Sequence, residues 1–273
     1  MMRLALLLAA CCAAALPQTV VGPPTGSLVV AGGGNLGPEI EGEFIRLAGG
    51  VDAPVVVIPT AGEAAAYDAK FLDTTFLRQR GMTRLTLLHT TDRKVADSGE
   101  FAAPLHAARG VWFPGGRQWR LVDAYLGTLT ERELHGMLAR GGVIGGTFAG
   151  ATIQGSYLVR GARSGNTIMM AEGYEQGFGF LRGVAVDQHL IRRKRERDML
   201  EVIAAHPDLL GIGIDESTAV VVTGDRFRVM GASKAAIYDP RYQPAPGGLP
   251  YYFLSPGDVF DMASRRIVKE TAK

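Results

Sequence analysis

An α/β fold with a mostly parallel sheet is predicted by three features of the sequence. Short apolar runs recur along the chain, and each ends in a glycine, proline or polar turn before a helix-like stretch. The runs are apolar throughout rather than alternating, which is typical of strands that are covered on both faces. The chain also contains 36 glycines without a collagen-like period, as many tight strand-to-helix turns would require. The first five runs are residues 27–31, 55–58, 85–88, 110–113 and 142–144.

The second half of the chain adds further predicted elements. Runs 183–186 and 211–214 end at Asp187-Gln188-His189 and Asp215-Glu216. A basic helix is predicted over about 193–205, and two antiparallel strands, 219–222 and 226–232, are joined by the hairpin turn Gly224-Asp225. Because ligands bind at the carboxyl ends of parallel strands, the residues after each run are the candidate site. We expect a single domain over residues 25–273.

The first 15 residues read as a targeting segment rather than as part of the fold. Arg3 precedes an apolar stretch that Pro17 ends too early for a membrane span of about 20 residues. Ala13 and Ala15 offer a signal-peptidase site, which predicts a secreted or periplasmic protein. A second interpretation stays open, because residues 8–11 resemble a lipoprotein box, with a signal to residue 10 and lipidation at Cys11.

Composition and spacing exclude several function classes. Both cysteines, Cys11 and Cys12, lie in the targeting segment, so no cysteine nucleophile or disulfide is expected in the mature chain. With 29 basic and 27 acidic residues, bulk charge does not predict a nucleic-acid partner. The five histidines lack metal-ligand spacing, and residues 32–37 lack the spacing of a dinucleotide or phosphate loop, so we expect no metal and no cofactor.

Residues 146–150, Gly-Thr-Phe-Ala-Gly, have the form of a nucleophile elbow with Phe148 at the central position. They follow a predicted strand and open a helix predicted over 149–157. A tight glycine turn without chemistry fits these five residues equally well. His189 and Glu216 favour the catalytic interpretation, because a nucleophile requires a base and the base requires an orienting acid. Their order along the chain differs from that of α/β-hydrolases.

These motifs together resemble the cyanophycinase and aspartyl dipeptidase family of serine peptidases. The resemblance rests on residues 114–118, the elbow at 146–151, residues 187–189 with the arginine-rich stretch that follows, and residues 211–216. It implies a three-layer flavodoxin-like fold related to class I glutamine amidotransferases. It also implies the following roles: His189 as base, Glu216 as its acid, Gly116 and Ala149 at the oxyanion region, and Gln118, Asp187, Gln188, Arg193 and Arg195 in the substrate pocket.

The departure from the family lies at Phe148, where the family has its nucleophilic serine. A phenyl ring has no nucleophilic atom and no proton for His189 to take, so we expect hydrolysis to be absent or severely reduced. Three other hydroxyls in the sequence are candidates to replace that of the serine. Thr147 should point away from the pocket, Ser156 is expected two helical turns further on, and nothing in the sequence places Ser217 at the oxyanion region.

The resemblance implies an ancestral reaction, the hydrolysis of cyanophycin to β-aspartyl-arginine, and a homodimer. Two alternatives stay open: a non-catalytic protein that binds aspartyl peptides, and an aspartyl dipeptidase-like hydrolase. The basic stretch 192–197 is either a solvated helix start or a partner for substrate carboxylates, since arginine grips a carboxylate with two hydrogen bonds. Asp198 stands where some family members have another arginine, which affects the expected substrate preference.

Overall fold

The computed structural model describes residues 20–268, and its centre is a sheet of five parallel strands. These strands are β1 (Ser27–Ala31), β2 (Val55–Val57), β3 (Leu85–Leu87), β4 (Gly110–Phe113) and β5 (Val143–Thr147). They lie in the order β3-β2-β4-β5-β1. Strands β1, β2 and β4 are buried along their whole length, as their uninterrupted apolar sequences predict. The predicted α/β fold with a parallel core is therefore confirmed.

Four antiparallel strands extend the same sheet beyond β1. They are β9 (Thr218–Thr223), β10 (Arg226–Gly231), β13 (Val259–Asp261) and β14 (Arg266–Val268). Strands β9 and β10 form the predicted hairpin, and Gly224 in its turn has φ 56°.

A second sheet carries the strands that lead to the candidate histidine and acid. Its strands are β6 (Gly155–Tyr157), β7 (Leu181–Gln188), β8 (Leu210–Ile214), β11 (Ala235–Tyr238) and β12 (Tyr252–Leu254). Strands β6, β7 and β8 are parallel, β11 pairs antiparallel with β8, and β12 pairs antiparallel with β11.

Helices cover the sheets. They are α1 (Gly37–Ala48), α2 (Phe76–Gln79), α3 (Arg93–Ala96), α4 (Gly99–Ala102), α5 (Pro104–Ala107), α6 (Gln118–Tyr125), α7 (Leu129–Ala139), α8 (Ala149–Thr152) and α9 (Met199–Ala205), with a 3-10 helix at Ala69–Thr74. None of the helices within residues 20–268 is long and apolar enough to span a membrane.

The core lies on both faces of the first sheet. Leu28 and Val30 of β1 belong to one apolar cluster, whereas Val29 and Ala31 belong to another, because successive strand residues point to opposite faces. The first cluster also contains Ile212 and other residues of the second sheet. The two sheets therefore share one apolar core.

Two of the predicted helices are wrong in extent. The helix predicted over 149–157 ends at Thr152, and β6 begins at Gly155, whose position next to the carbonyl oxygen of Val184 leaves no room for a side chain. The helix predicted from residue 193 begins only at Met199. The basic residues before it lie in turns, which agrees with the unfavourable interaction between cations and a helix N-terminus. The N-terminal residues predicted to be a targeting segment, with Cys11 and Cys12, lie outside the described residues.

Candidate active site

The turn between β5 and α8 has the geometry of a nucleophile elbow. Phe148 at its apex has φ 55° and ψ −117°, a conformation that residues with side chains rarely adopt. A Cβ atom added to Gly146 would lie 2.4 Å from the carbonyl oxygen of Gly150, and one added to Gly150 would lie 2.2 Å from that of Phe113. The two glycines are therefore required for the close approach of strand and helix.

His189 and Glu216 meet at the carboxyl ends of β7 and β8. The Nδ1 atom of His189 lies 2.6 Å from Oε1 of Glu216, which is a short, charge-assisted hydrogen bond. Through this bond, the carboxylate favours the tautomer that keeps its proton on Nδ1 and leaves Nε2 as the basic nitrogen. This is the arrangement of a general base with its orienting acid.

The glycine-rich turn after β1 holds both partners in place. The backbone N–H of His189 donates to the carbonyl oxygen of Gly32 (3.1 Å), and that of Ser217 donates to Gly33 (2.8 Å). A Cβ atom on Gly33 would lie 2.8 Å from Cε1 of His189 and 3.0 Å from Cε1 of Phe148. This turn therefore lies at the active edge of the sheet, as the sequence predicts, and contacts both His189 and Phe148.

The Phe148 ring occupies the space in front of the imidazole. Its centroid lies 4.6 Å from that of His189, with the two ring planes at 51°. On its other side, a Cβ atom on Gly115 would lie 2.4 Å from Cδ2 of the phenyl ring. The ring therefore fits between the imidazole and the Gly115-Gly116 turn, next to the position expected for the oxyanion-binding Gly116 and Ala149.

The surroundings of His189 favour its neutral form. Its side chain is only 3% exposed, and this burial is the main cause that lowers its pKa, with a smaller contribution from the positive charge of Arg193. The hydrogen bond to Glu216 acts in the opposite direction. A neutral imidazole near pH 7 is the form that a general base requires.

Gln118 and Asp187 are both buried, but their side chains differ in how far their polar atoms are hydrogen-bonded. The Nε2 atom of Gln118, in the first turn of α6, has no hydrogen-bond partner within residues 20–268. Asp187 is fully buried, and both of its carboxylate oxygens bind Arg160, at 2.7 and 2.8 Å. The expectation that Asp187 lines an open pocket therefore does not match its position in the structure, since Arg160 occupies both oxygens.

Two of the remaining predicted pocket residues, Arg193 and Arg195, form with Lys194 a basic wall after His189. Arg195 is buried and donates to the backbone oxygen (3.2 Å) and the side-chain oxygen (3.4 Å) of Gln188. Burial and the neighbouring charge of Arg160 lower the pKa of Arg195. Arg193 is exposed. With Arg160, Lys194 and Asp198, these two arginines line a surface depression.

The three hydroxyls that are candidates to replace the serine differ in their elements and in their hydrogen bonds. Ser156 lies in β6, not in a helix, and its Oγ accepts from the backbone N–H groups of Gly183 and Val184. The hydroxyl of Thr147 is buried and has no partner within residues 20–268. Ser217 follows Glu216, with φ 55°.

Arg160 is a site residue that the sequence analysis missed. Besides Asp187, its guanidinium binds the carboxylate of Asp198 (2.6 Å) and the carbonyl oxygen of Asn166 (2.7 Å). It therefore connects the end of β7 to the segment before α9. The available sequence signal was a single arginine directly after the apolar pair Leu158-Val159. No group of three His, Cys, Asp or Glu residues within 20–268 is placed to hold a metal ion.

Comparisons with known proteins show relatives of this chain and a similar fold. Cyanophycinase of Trichormus variabilis is 32% identical over 254 residues, which cover 85% of this chain and 83% of that protein. Cyanophycinase of Thermosynechococcus vestitus is 34% identical over 209 residues, 75% of this chain and 64% of that protein. The crystal structure of a peptidase from an acI-B1 Actinobacterium matches the fold with a TM-score of 0.67 at 22% identity, over 88% of this chain and 98% of that one. The pattern of Peptidase family S51 matches residues 28–230, which is more than half of the chain, so this chain belongs to that family.

Proposed function

We propose that this protein is a cyanophycinase-like serine peptidase homologue in which hydrolysis is absent or severely reduced. The observation that carries the proposal is the Phe148 ring at the elbow apex, 4.6 Å from the His189 imidazole. The loss of a triad serine lowers kcat by about 10⁶ in a serine protease. The phenyl ring also fills space in front of the base, so we expect it to hinder the approach of a scissile carbonyl.

The chemistry that a serine at position 148 would perform follows from the remaining residues. Its hydroxyl oxygen would attack the scissile carbonyl carbon while Nε2 of His189 takes the hydroxyl proton. Glu216 would stabilise the imidazolium, and the backbone N–H groups of Gly116 and Ala149 would stabilise the oxyanion. His189 would then return the proton to the leaving amine, and water would release the acyl group.

The proposed substrate class is an aspartyl peptide, with cyanophycin as the first candidate. The relatives named cyanophycinase support it, as do the cations of the basic wall, Arg193, Lys194 and Arg195. Carboxylates on an aspartyl chain are suitable partners for these cations. Export through the N-terminal segment, or anchoring through Cys11, and a homodimer remain part of the proposal.

The test compares cyanophycin hydrolysis by the mature protein with that by its Phe148→Ser and Phe148→Ala variants. We expect dipeptide release only from Phe148→Ser, because Phe148→Ala removes the ring without adding a nucleophile. Adding His189→Gln to Phe148→Ser should abolish the activity. Turnover by the unaltered chain that is lost with His189→Gln alone would refute the proposed inactivity.

A second candidate is a protein that binds aspartyl peptides without cleaving them. The observation in its favour is that the basic wall and the His189–Glu216 pair are present although the nucleophile is not. Calorimetric binding of an aspartyl peptide to the unaltered chain, weakened by Arg193→Ala, would support it. A third candidate, an aspartyl dipeptidase-like hydrolase, predicts that Phe148→Ser cleaves short aspartyl dipeptides in preference to the polymer.

A further inference from the structure

Asp215 precedes Glu216, and its carboxylate binds the backbone of the turn that begins at His189. Its Oδ1 atom accepts from the N–H groups of Ile191 (3.0 Å) and Arg192 (2.9 Å), the second and third residues after His189. Its Oδ2 atom accepts from the Ser233 hydroxyl (2.7 Å). The residue is only 7% exposed, so water competes little for these bonds.

The turn that begins at His189 needs the support of these hydrogen bonds. His189 has φ 58°, a left-handed conformation that is unfavourable for a residue with a side chain. Without the carboxylate, the partly buried N–H groups of Ile191 and Arg192 would lose the only side chain that accepts from them within residues 20–268, and the turn would lose the bonds that tie it to β8. The carboxylate therefore stabilises the conformation that directs His189 toward Glu216.

The hydrogen bonds of Asp215 continue through Ser233 and Thr218 to Glu216, the acid of the pair. The Thr218 hydroxyl donates to the backbone oxygen of Glu216 (3.2 Å) and accepts from the N–H of Ser233 (2.9 Å). Ser233 in turn donates its hydroxyl to Asp215. One connected set of hydrogen bonds thus links the turn after His189 to the backbone of Glu216.

We propose that Asp215 is a positioning residue for the His189–Glu216 pair. It holds the two ends of the pair, which come from different strands, at the 2.6 Å separation between Nδ1 and Oε1. The pair is present in the chain that keeps Phe148. Its geometry can therefore be measured there by spectroscopy, without turnover of a substrate.

The first measurement is the proton NMR resonance of the His189 Nδ1–H. A short bond to a carboxylate shifts this proton far downfield and slows its exchange with water. We expect Asp215→Ala to broaden or remove the resonance and Asp215→Asn to retain it. Asparagine can accept from both N–H groups through Oδ1 and donate to Ser233 through its amide.

The chain offers a matched control in Asp225. Its Oδ1 atom also accepts from two consecutive backbone N–H groups, those of Val21 (2.6 Å) and Gly22 (3.1 Å), but at the turn between β9 and β10. Asp225→Ala should lower stability and leave the His189 resonance unchanged. A resonance that survives in folded Asp215→Ala, or that Asp225→Ala broadens to the same extent, would overturn the proposal.

The second measurement uses the Phe148→Ser background. We expect Asp215→Ala to lower kcat by about 10- to 100-fold with little change in KM, because misplacement of a catalytic group by about 1 Å costs on that order. Asp215→Asn should restore most of the rate. If Phe148→Ser is inactive, the proposed function fails, whereas the NMR comparison still decides the role of Asp215.

Ser233→Ala provides a milder variant in case Asp215→Ala does not fold. It removes one hydrogen bond of Asp215 and leaves the two backbone bonds in place. We expect faster exchange of the His189 Nδ1–H and a resonance that is still detectable. An unchanged exchange rate would contradict the proposed link through Ser233.

Discussion

Phe148 keeps the backbone conformation of a nucleophile elbow although it carries no nucleophile. Its φ of 55° and ψ of −117° lie in a region where glycine is favoured, and such a residue costs on the order of 1–3 kcal/mol. The close approach of strand and helix surrounds this conformation, since an added Cβ at Gly146 or Gly150 would meet backbone oxygens at 2.4 and 2.2 Å. The strain is therefore a property of the scaffold and does not depend on the side chain at this position.

Replacing Phe148 by glycine should relieve this strain. Both Phe148→Gly and Phe148→Ala remove the ring, so their difference isolates the backbone contribution. We expect the glycine variant to have the larger free energy of unfolding, by about 1 kcal/mol. Urea denaturation would measure it. Ala103, with φ −51°, is the control, since Ala103→Gly should lower stability by about 0.5–1 kcal/mol. A less stable glycine variant at position 148 would contradict the argument.

The lowered pKa of His189 predicts a pH-dependent stability. The folded state binds its proton more weakly than the unfolded state, in which the pKa is about 6.5. The stabilisation is therefore fully present above pH of about 6.5 and is lost as the pH falls through the folded-state pKa. His189→Gln should show a shallower dependence of the free energy of unfolding between about pH 5 and 7. His106→Gln, at an exposed position, is the control, and equal slopes in His189→Gln and the unaltered chain would refute the prediction.

At the scale of elements, the segment between β7 and α9 is held by side chains rather than by regular structure. Arg160 binds Asp187 at the end of β7 and Asp198 directly before α9. Asp215, next to β8, holds the turn after His189. These two sets of contacts explain why the basic wall has a fixed position although residues 192–197 are not helical.

Removing the Arg160 guanidinium should therefore be costly. Arg160→Ala leaves the buried carboxylate of Asp187 without its partner, and the loss of one member of a buried ion pair costs about 3–5 kcal/mol. Arg132→Ala is the matched control, because the Arg132–Asp97 pair is 61% and 55% exposed and should contribute no more than about 1 kcal/mol. Guanidinium denaturation would measure the free energy of unfolding of both variants. Equal decreases would show that the buried pair contributes no more than the exposed one.

At the scale of the whole molecule, two sheets share one apolar core. The larger cluster joins residues of β1, β4 and β5 to residues of β7, β8 and β11. The cations of the wall and His189 follow β7 of the second sheet, Glu216 lies between β8 of the second sheet and β9 of the first, and the elbow follows β5 of the first sheet. The site is thus formed where the two sheets meet, and it requires both of them to be folded.

A shared core predicts a single cooperative unfolding transition. Met199→Ala removes a buried side chain that packs with the second sheet and should cost about 2–5 kcal/mol. Both tryptophans, Trp112 in β4 and Trp119 in α6, report on the first sheet and its covering helices. We expect their fluorescence and the far-UV circular dichroism to shift to the same lower temperature in the variant. Separate transitions would show that the two sheets unfold independently.

Much of the fold could be predicted because its signals are local. Continuous apolar runs followed by turn residues indicate buried parallel strands wherever they pair, and the Gly224-Asp225 hairpin depends on four neighbouring residues. The extent of two helices was wrong: one gives way to a strand where β7 lies beside Gly155, and the other begins only at Met199, after the cations of the basic stretch. The division of the strands between two sheets also depends on contacts between distant segments.

The residue type at position 148 is enough to exclude a nucleophile there, because no arrangement of the chain gives a phenyl ring a hydroxyl. The places of His189 and Glu216 after two predicted strands likewise identify them as a candidate pair. The position of the ring, the partner of Asp187 and the carboxylate that supports the turn after His189 depend on the folded chain. Those contacts join residues 23 to 41 positions apart, and they form only when separate strands bring their ends to the same edge.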